Sequence, residues 1–358
     1  MRSIAVIGCG FGDEGKGRIV NDLCPKFRNP LVVRYSGGHQ AGHHVVTSTK
    51  DHVFSNFGSG SLAGTDTYWS KFCTVDPMGI FYELTALKRK GFFSTLYVDK
   101  DCPVTTPYEK QINFVSMNWN HHGSCGVGFG ATHEREEKRY SLLFSDLFDP
   151  IILDIKLNLI KKFYKEFSLD LNPFRKFCEE VVASKDIHMV SGIPDTKYDT
   201  IIFEGSQGLL LDQDIGFFPH VTRSNTGSKN ILEMRFRPSV VLVTRAYQTR
   251  RGNGPMTNET IPHEINRNPL EENFDSGPQG KFRKTILDLN LLKYAIEKDS
   301  YIAECSKKIM VVTCMDLMPE YSLTQNGKIL KYRYRERFLK KIGSFLNIPR
   351  VIGLSSPV

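Results

Sequence analysis

Residues 3–20 read Ser-Ile-Ala-Val-Ile-Gly-Cys-Gly-Phe-Gly-Asp-Glu-Gly-Lys-Gly-Arg-Ile-Val. Ile4 to Ile7 make a short apolar strand. Five glycines (Gly8, Gly10, Gly12, Gly15 and Gly17) break it, and Ile19 and Val20 resume as a helix. Gly10 to Lys16 satisfies G-x-x-x-x-G-K, a loop whose backbone N–H groups approach phosphate oxygens while the helix N-terminus adds partial positive charge. A chain built on this unit is an α/β protein with an anion site at the end of a strand. Two features set the loop apart from an ordinary nucleotide loop. Gly17 stands where a Ser or Thr would supply a magnesium ligand, and two acids, Asp13 and Glu14, sit inside the loop. An acid beside a triphosphate repels it unless it holds a metal ion or takes a proton. A glycine-rich surface turn is the plain alternative; the strand before the loop and the acids within it argue against that.

Further strands are expected at Pro30 to Tyr35, Ser94 to Val98, Thr200 to Phe203, Pro238 to Val243 and Lys308 to Thr313. Helical spacing lies between them, at Pro77 to Lys90, Asp149 to Phe167 and Phe174 to Ala183. Apolar strands alternating with helices predict a central, mostly parallel β-sheet flanked by helices. Without internal repeats, low-complexity runs or a long linker, residues 1–358 read as a single large domain. Met117 to Arg139 contains Gly123-Ser-Cys-Gly-Val-Gly-Phe-Gly130 and a charge run, Glu134 to Arg139; it reads as a solvated loop. The glycines of Ser36 to His44 make another loop. His39 and His43 would share a face only on a helix, and no third metal ligand is evident.

Hydrophobic residues make up 40% and charged residues 24% of the 358, as in globular domains. No apolar run approaches the ~18 residues of a membrane helix, and no signal peptide is expected before the first strand. Eight cysteines, at 9, 24, 73, 102, 125, 178, 305 and 314, form no C-x-x-C pair. Neither a zinc site nor a disulfide framework is expected, and the cytoplasm (a host's, for a viral chain) is the simple reading. Cys9 reads as a small filler and not a nucleophile. The net charge of +8 raises nucleic acid as a partner, but the positives are interleaved with acids, and anionic small molecules explain the excess equally well.

Gly12-Asp-Glu-Gly-Lys-Gly17, followed by Val33-Arg-Tyr-Ser-Gly-Gly-His-Gln-Ala-Gly-His43, closely resembles the adenylosuccinate synthetase family. The resemblance continues in order at Phe203-Glu-Gly-Ser-Gln-Gly208 with Leu211-Asp212, at Val221-Thr-Arg-Ser-Asn-Thr226, and at Ala246-Tyr-Gln-Thr-Arg250 with Gly252-Asn-Gly-Pro255. Several separated blocks in order are far more specific than one motif. The resemblance implies that family's P-loop-like fold and a homodimeric ligase. It would condense L-aspartate with a purine nucleoside monophosphate, using a nucleoside triphosphate and Mg2+. Asp13 would be the general base and His43 the acid, with Asp13 and the Gly42 carbonyl on magnesium. The phosphate donor would meet Gly12, Asp13, Glu14, Gly15, Lys16, Gly17, Arg18, Gly42, His43, Arg283, Asp316 and Ser355. The purine nucleotide would meet Asp13, Lys16, Gln40, Ala41, Ser124, Cys125, Gln207, Thr222 and Lys281. Arg139, with Arg135 as the other match, would reach it from the neighbouring subunit. Aspartate would meet Gln279, Gly280, Lys281 and Arg283.

The chain departs from the family pattern at several of these places. The family's Thr-Lys-Leu-Asp recognises the guanine of GTP through its lysine and aspartate; here it is Thr313-Cys-Met-Asp316. The run Leu354-Ser-Ser-Pro-Val358 likewise differs from the family's Ser-Thr-Gly-Pro. Gly10 replaces a glutamine, Phe11 a tryptophan, Gln40 an asparagine, Ser124 and Cys125 two threonines, and Val127 an arginine. The aspartate loop has lost both its threonines, and Lys281 offers a point charge where arginine would bind a carboxylate bidentately. A branch of the family in phages and archaea acts on dGMP, making a precursor of 2-aminoadenine, and can use an adenine donor; the chain resembles that branch. The expectation is therefore dGMP as acceptor with ATP or dATP, or GTP, as donor. The alternative is the ordinary pairing of IMP with GTP. A P-loop hydrolase or kinase is the alternative of another class, and Gly17 and the loop acids count against it.

Overall fold

The computed structural model of the chain describes every residue except 121–123, 166, 195–196, 272–279 and 357–358, and only the backbone of 116–120. Its centre is a nine-stranded sheet. In spatial order the strands are Val351–Gly353, Lys308–Thr313, Ser239–Arg245, Arg2–Gly8, Thr200–Gly208, Pro30–Arg34, Asp66–Trp69, Leu96–Asp99 and Ile187–Val190. Every neighbouring pair is parallel. The reason lies in the apolar runs, which have no polar face to leave in water. Along Arg2–Gly8 the side chains alternate. Ala5 and Ile7 pack with Leu31, Val33, Ile201 and Phe203 on one face, and Val6 packs with Val32, Ile202, Val241 and Val243 on the other. The helix Lys16–Leu23 lies on the second face through Ile19 and Val20.

The chain passes from Arg245 almost directly into a four-stranded sheet of Tyr247–Arg251, Phe282–Asp288, Tyr321–Gln325 and Lys328–Tyr332. A hairpin pairs His43–Val46 with Asp51–Phe54. Among the described residues no helix is long and apolar enough to cross a membrane, and all eight cysteines are free thiols.

Three expectations need correction. The strand expected at 94–98 lies at Leu96–Asp99, and two further strands, Asp66–Trp69 and Ile187–Val190, are only four residues long and interrupted by polar side chains, too short to stand out. His43 and His44 open a strand instead of closing a loop. The stretch 117–139 is no solvated loop: the helix Pro107–Asn120 enters it, and Phe129–Glu137 is helical. Left-handed Gly126 and Gly128 give it the look of a loop; Gly128 is the cap of the second helix. Within the charge run Arg135 is fully buried. It donates to Glu109 at 2.6 Å, to Glu136 at 2.7 Å, and to the carbonyls of Val104 and Tyr140. Arg139, four residues on, is exposed with φ 65°.

Candidate active site

In an open parallel sheet, ligand groups gather beyond the carboxyl ends of the strands. Here those ends deliver the loop after Gly8, the segment 35–42, Glu204 to Gly208, Arg245, Thr313 and Ser355. They enclose a cavity of about 200 Å³ lined by Asp13 to Arg18, Gly42, His43 and Ser355 together with Arg245 and Cys314. A larger hollow of about 1150 Å³ lies at the opposite edge, around Arg2 and Lys308. It sits at the amino ends of the strands, where no convergent loops supply such groups.

The phosphate-type loop holds three left-handed residues, Gly12 (φ 94°), Asp13 (φ 61°) and Gly15 (φ 91°). Its carbonyls are held one by one: Thr249 Oγ1 donates to Gly12 O at 3.3 Å, Arg245 Nε to Asp13 O at 2.5 Å, and Thr313 Oγ1 to Glu14 O at 2.8 Å. Glu14 does not point at a ligand. Its carboxylate turns into the loop, taking the N–H groups of Gly10 and Gly12 at 3.0 and 2.9 Å and Lys16 Nζ at 2.6 Å. Burial would raise the Glu14 carboxyl, but the charge of Lys16 and these hydrogen bonds outweigh it and hold it below its ordinary value. Gly8 and Gly208 are required here, because a Cβ on either would run into the Glu14 carboxylate. Asp13 is different. Its side chain is exposed to the cavity, yet desolvation by the protein packed around it raises its carboxyl above the ordinary range; Arg245 opposes the rise, and Glu271 and Glu14 add to it. A carboxylate so placed can accept a proton.

His43 is buried with Nδ1 2.6 Å from Glu204 Oε1 and Nε2 3.3 Å from the Ser206 carbonyl. Glu204 is fully buried and also accepts from the Ser59 N–H at 3.0 Å and from the Ser59 hydroxyl, with Arg34 Nη1 at 4.0 Å. Burial alone would raise Glu204; His43, Arg34 and Ser59 outweigh it and hold the carboxyl down at about 2. Burial holds the proton affinity of His43 below its ordinary value, and the Glu204 carboxylate offsets only part of that fall. Both ring nitrogens face oxygen acceptors, so a ring with a proton on each satisfies both. Glu204 thus equips His43 to present an N–H at Nε2. His39, meanwhile, places Nε2 2.9 Å from Val127 O. The two histidines serve different partners and form no metal pair.

The other expected residues divide. The segments 37–42 and 124–128 meet: Cys125 Sγ is 3.8 Å from Gln40 O, and Ser124 is held by Asn113. The Gln40 amide and Gln207 Oε1 have buried polar atoms without a protein partner, as groups that await a ligand would. Ala41 is buried beside them. Thr222 is tied to Leu211 O through its N–H at 2.8 Å. Asp316 does not reach the cavity wall, but it accepts from Ser356 N at 2.6 Å, and Arg18 donates to Ser355 O at 2.5 Å. Arg283 stands apart: it donates to Glu259 at 2.6 Å and to Gly254 O at 2.5 Å. Lys281 is exposed, Gly280 is left-handed at φ 79°, and Gln279 lies outside the described residues. Asp13 and Gly42 line the same cavity. Among the described residues no group of three His, Cys, Asp or Glu converges. Mg2+ takes one or two carboxylates and otherwise substrate phosphates, and Asp13 is a carboxylate on this cavity that could serve it. Sequence reading assigned no role to Glu204, Arg245, Thr249 or Thr313; for Glu204 and Arg245 the available signal was a charge at the carboxyl end of an apolar strand.

The model of the adenylosuccinate synthetase family matches residues 5–332. The adenylosuccinate synthetases of Blochmanniella pennsylvanica and Glaesserella parasuis are each 30% identical to the chain, over 92% of it and 82% of their own length. That of Thermoplasma volcanium is 29% identical over 92% and 81%. Among solved structures, a fully ligated adenylosuccinate synthetase from Plasmodium falciparum has a TM-score of 0.77 at 17% identity, covering 98% of this chain and 96% of that one. The succinoaminodeoxyadenylate synthetase of cyanophage S-2L, bound to dGMP and dATP, has a TM-score of 0.65 at 15% identity, covering 98% and 91%. At these identities the two structures share the fold.

Proposed function

The chain belongs to the adenylosuccinate synthetase family, and on that premise we propose that it joins L-aspartate to C6 of dGMP with ATP or dATP as phosphate donor. The coarser statement follows from the family: the protein is a C–N ligase that condenses aspartate with a purine nucleotide and uses a nucleoside triphosphate. One observation carries the chemistry. Asp13, the Glu204-backed His43 and the glycine loop with Lys16 share one cavity.

A 6-oxo purine is a poor electrophile because its oxygen leaves badly; phosphorylation makes that oxygen a good leaving group. Asp13 takes the N1 proton, and the His43 Nε2 N–H meets the negative charge that develops on the 6-oxygen. Lys16, kept in place by Glu14, and the loop amides hold the donor's phosphates. Asp13 and the Gly42 carbonyl would hold Mg2+, which would supply charge neutralisation at the donor's phosphates. The γ-phosphoryl group passes to the 6-oxygen. The aspartate amine then forms the C6–N bond as the C6–O bond breaks. Inorganic phosphate, a nucleoside diphosphate and the succinylamino purine nucleotide are the products.

The donor half of the proposal rests on Cys314, which lines the cavity where the family's lysine would cover guanine. The acceptor half rests on Gly10, which stands where the family has a glutamine, and on the cyanophage enzyme of the same fold, described as bound to dGMP and dATP. The test crosses dGMP, GMP, IMP and dIMP with ATP, dATP and GTP in the presence of aspartate and magnesium. The expected result is better turnover of dGMP than of IMP, with ATP or dATP at least matching GTP. Efficient turnover of IMP with GTP, and none of dGMP, would return the chain to ordinary adenylosuccinate synthesis.

In this reading residues 1–358 act as one domain and the working unit is a homodimer. The helix Pro150–Phe163 presents Ile151, Ile155 and Leu159 to solvent at 71, 52 and 46% exposure, one apolar stripe beside the exposed Phe148. Arg135 is consumed by internal partners, which supports Arg139 as the residue that would reach a neighbour's nucleotide. Mixing inactive Asp13→Asn with inactive Arg139→Leu is then expected to restore activity, since a mixed dimer holds one intact site. Absence of recovery, with subunit exchange demonstrated, would place Arg139 outside the neighbouring site.

A further inference from the structure

Arg245 ends the strand beside the one that carries the glycine loop. It is 8% exposed and its guanidinium is engaged on three sides. Nε donates to the Asp13 carbonyl at 2.5 Å; Nη1 donates to Glu271 Oε2 at 2.7 Å and to Tyr247 Oη at 2.9 Å. The group also lies over the Tyr247 ring, 5.6 Å from its centroid. Asp13 is a non-glycine residue at φ 61°, a conformation that persists only where the surroundings over-determine it. Thr249 and Thr313 hold the carbonyls on either side with neutral hydroxyls. Arg245 holds the carbonyl of Asp13 itself with a charged, planar fork. The far end of that fork grips Glu271, which lines the nucleotide cavity with Asn268 and Leu270. One side chain therefore connects the proposed base, a cavity wall and the start of the second sheet.

We propose that Arg245 is a positioning residue for the ligase reaction: it fixes the Asp13 carboxyl through that residue's carbonyl, and the Arg245–Glu271 pair sets the cavity wall and the base in one register. The proposal rests on the reading of Asp13 as base. A lysine offers a single point donor and cannot span Asp13 O and Glu271 with a rigid fork, so it replaces the arginine only in part.

The experiment measures kcat and KM for all three substrates in Arg245→Met, Arg245→Lys, Glu271→Gln and the Arg245→Met/Glu271→Gln double variant, with Asp13→Asn alongside. Arg245→Met is expected to lose about 10²-fold in kcat, as a displaced reacting group does, with each KM within about threefold of the parent. Arg245→Lys is expected to recover part of that loss. The double variant is expected to be no worse than Arg245→Met, because the two residues act as a unit. A kcat for Arg245→Met within about threefold of the parent overturns the proposal, as do losses that multiply in the double variant. Should Arg245→Met fail to fold, a parent-like kcat in Arg245→Lys overturns it. A dead Asp13→Asn with a normal Arg245→Met leaves the base in place and removes the clamp; a working Asp13→Asn removes the base itself.

Discussion

Asp13→Asn is expected to reduce turnover by ~10²-fold or more, the scale of a lost acid–base group, while nucleotide affinity stays close to the parent's. The substitution removes a proton acceptor and leaves the shape. Asparagine tolerates the left-handed backbone that Asp13 adopts at φ 61° better than other non-glycine residues do, and the Arg245 bond goes to the main-chain carbonyl, which the variant keeps. The loop should therefore survive intact. The surrounding protein that raises the Asp13 carboxyl also gives it the proton affinity a base needs, while the residue stays exposed to a ligand. Steady-state assay with aspartate, set beside nucleotide titration calorimetry, checks both halves. Near-normal turnover would take Asp13 out of the chemistry, and loss of nucleotide binding would place its role in holding Mg2+ or the loop instead of in proton transfer.

Glu204→Gln is the second large effect. Glutamine fills the same space but puts an N–H₂ beside groups that need an acceptor, the Ser59 N–H and His43 Nδ1. His43 then loses the carboxylate that offsets part of the burial-driven fall in its proton affinity and that fixes its ring through Nδ1. Turnover is expected to fall by about 10²-fold or more, matching His43→Asn, and the double variant should be no worse than either single one. Arg34, fully buried, also loses its counter-charge. Breaking a buried pair from one side costs about 3–5 kcal/mol, so thermal stability should drop in Glu204→Gln. The pH dependence supplies a separate check. The Glu204 carboxyl is held at about 2 against an ordinary 4.5. A lowered folded pKa contributes stability that is complete above the ordinary value and is lost as pH falls toward the folded one. The parent should lose that contribution between roughly pH 4.5 and 2, and Glu204→Gln should lack that part of its acid sensitivity. An active, equally stable Glu204→Gln would mean that His43 works as a neutral hydrogen-bond donor without its carboxylate.

Local pattern was enough to identify the strand, glycine loop and helix of residues 2–23, the apolar strands of a parallel sheet and the family blocks around Asp13 and His43. These features depend on near neighbours: glycines at positive φ, apolar runs without a polar face, and motifs a dozen residues long. What holds the two central residues depends on distant chain. Glu204 reaches His43 across 161 residues and Arg245 reaches Asp13 across 232. The first exists because Pro30–Arg34, which leads to His43, lies beside Thr200–Gly208, and the second because Arg2–Gly8 lies beside Ser239–Arg245, an order of strands that no local spacing encodes. The same holds for Arg135. In the sequence it sits in a charge run that looks solvated, and only the packing of the helix Phe129–Glu137 against Pro107–Asn120 turns it inward to Glu109. Even Glu14, inside the most legible motif of the chain, takes its direction from tertiary structure. Gly8 and Gly208, 200 positions apart on adjacent strands, leave the space its carboxylate fills.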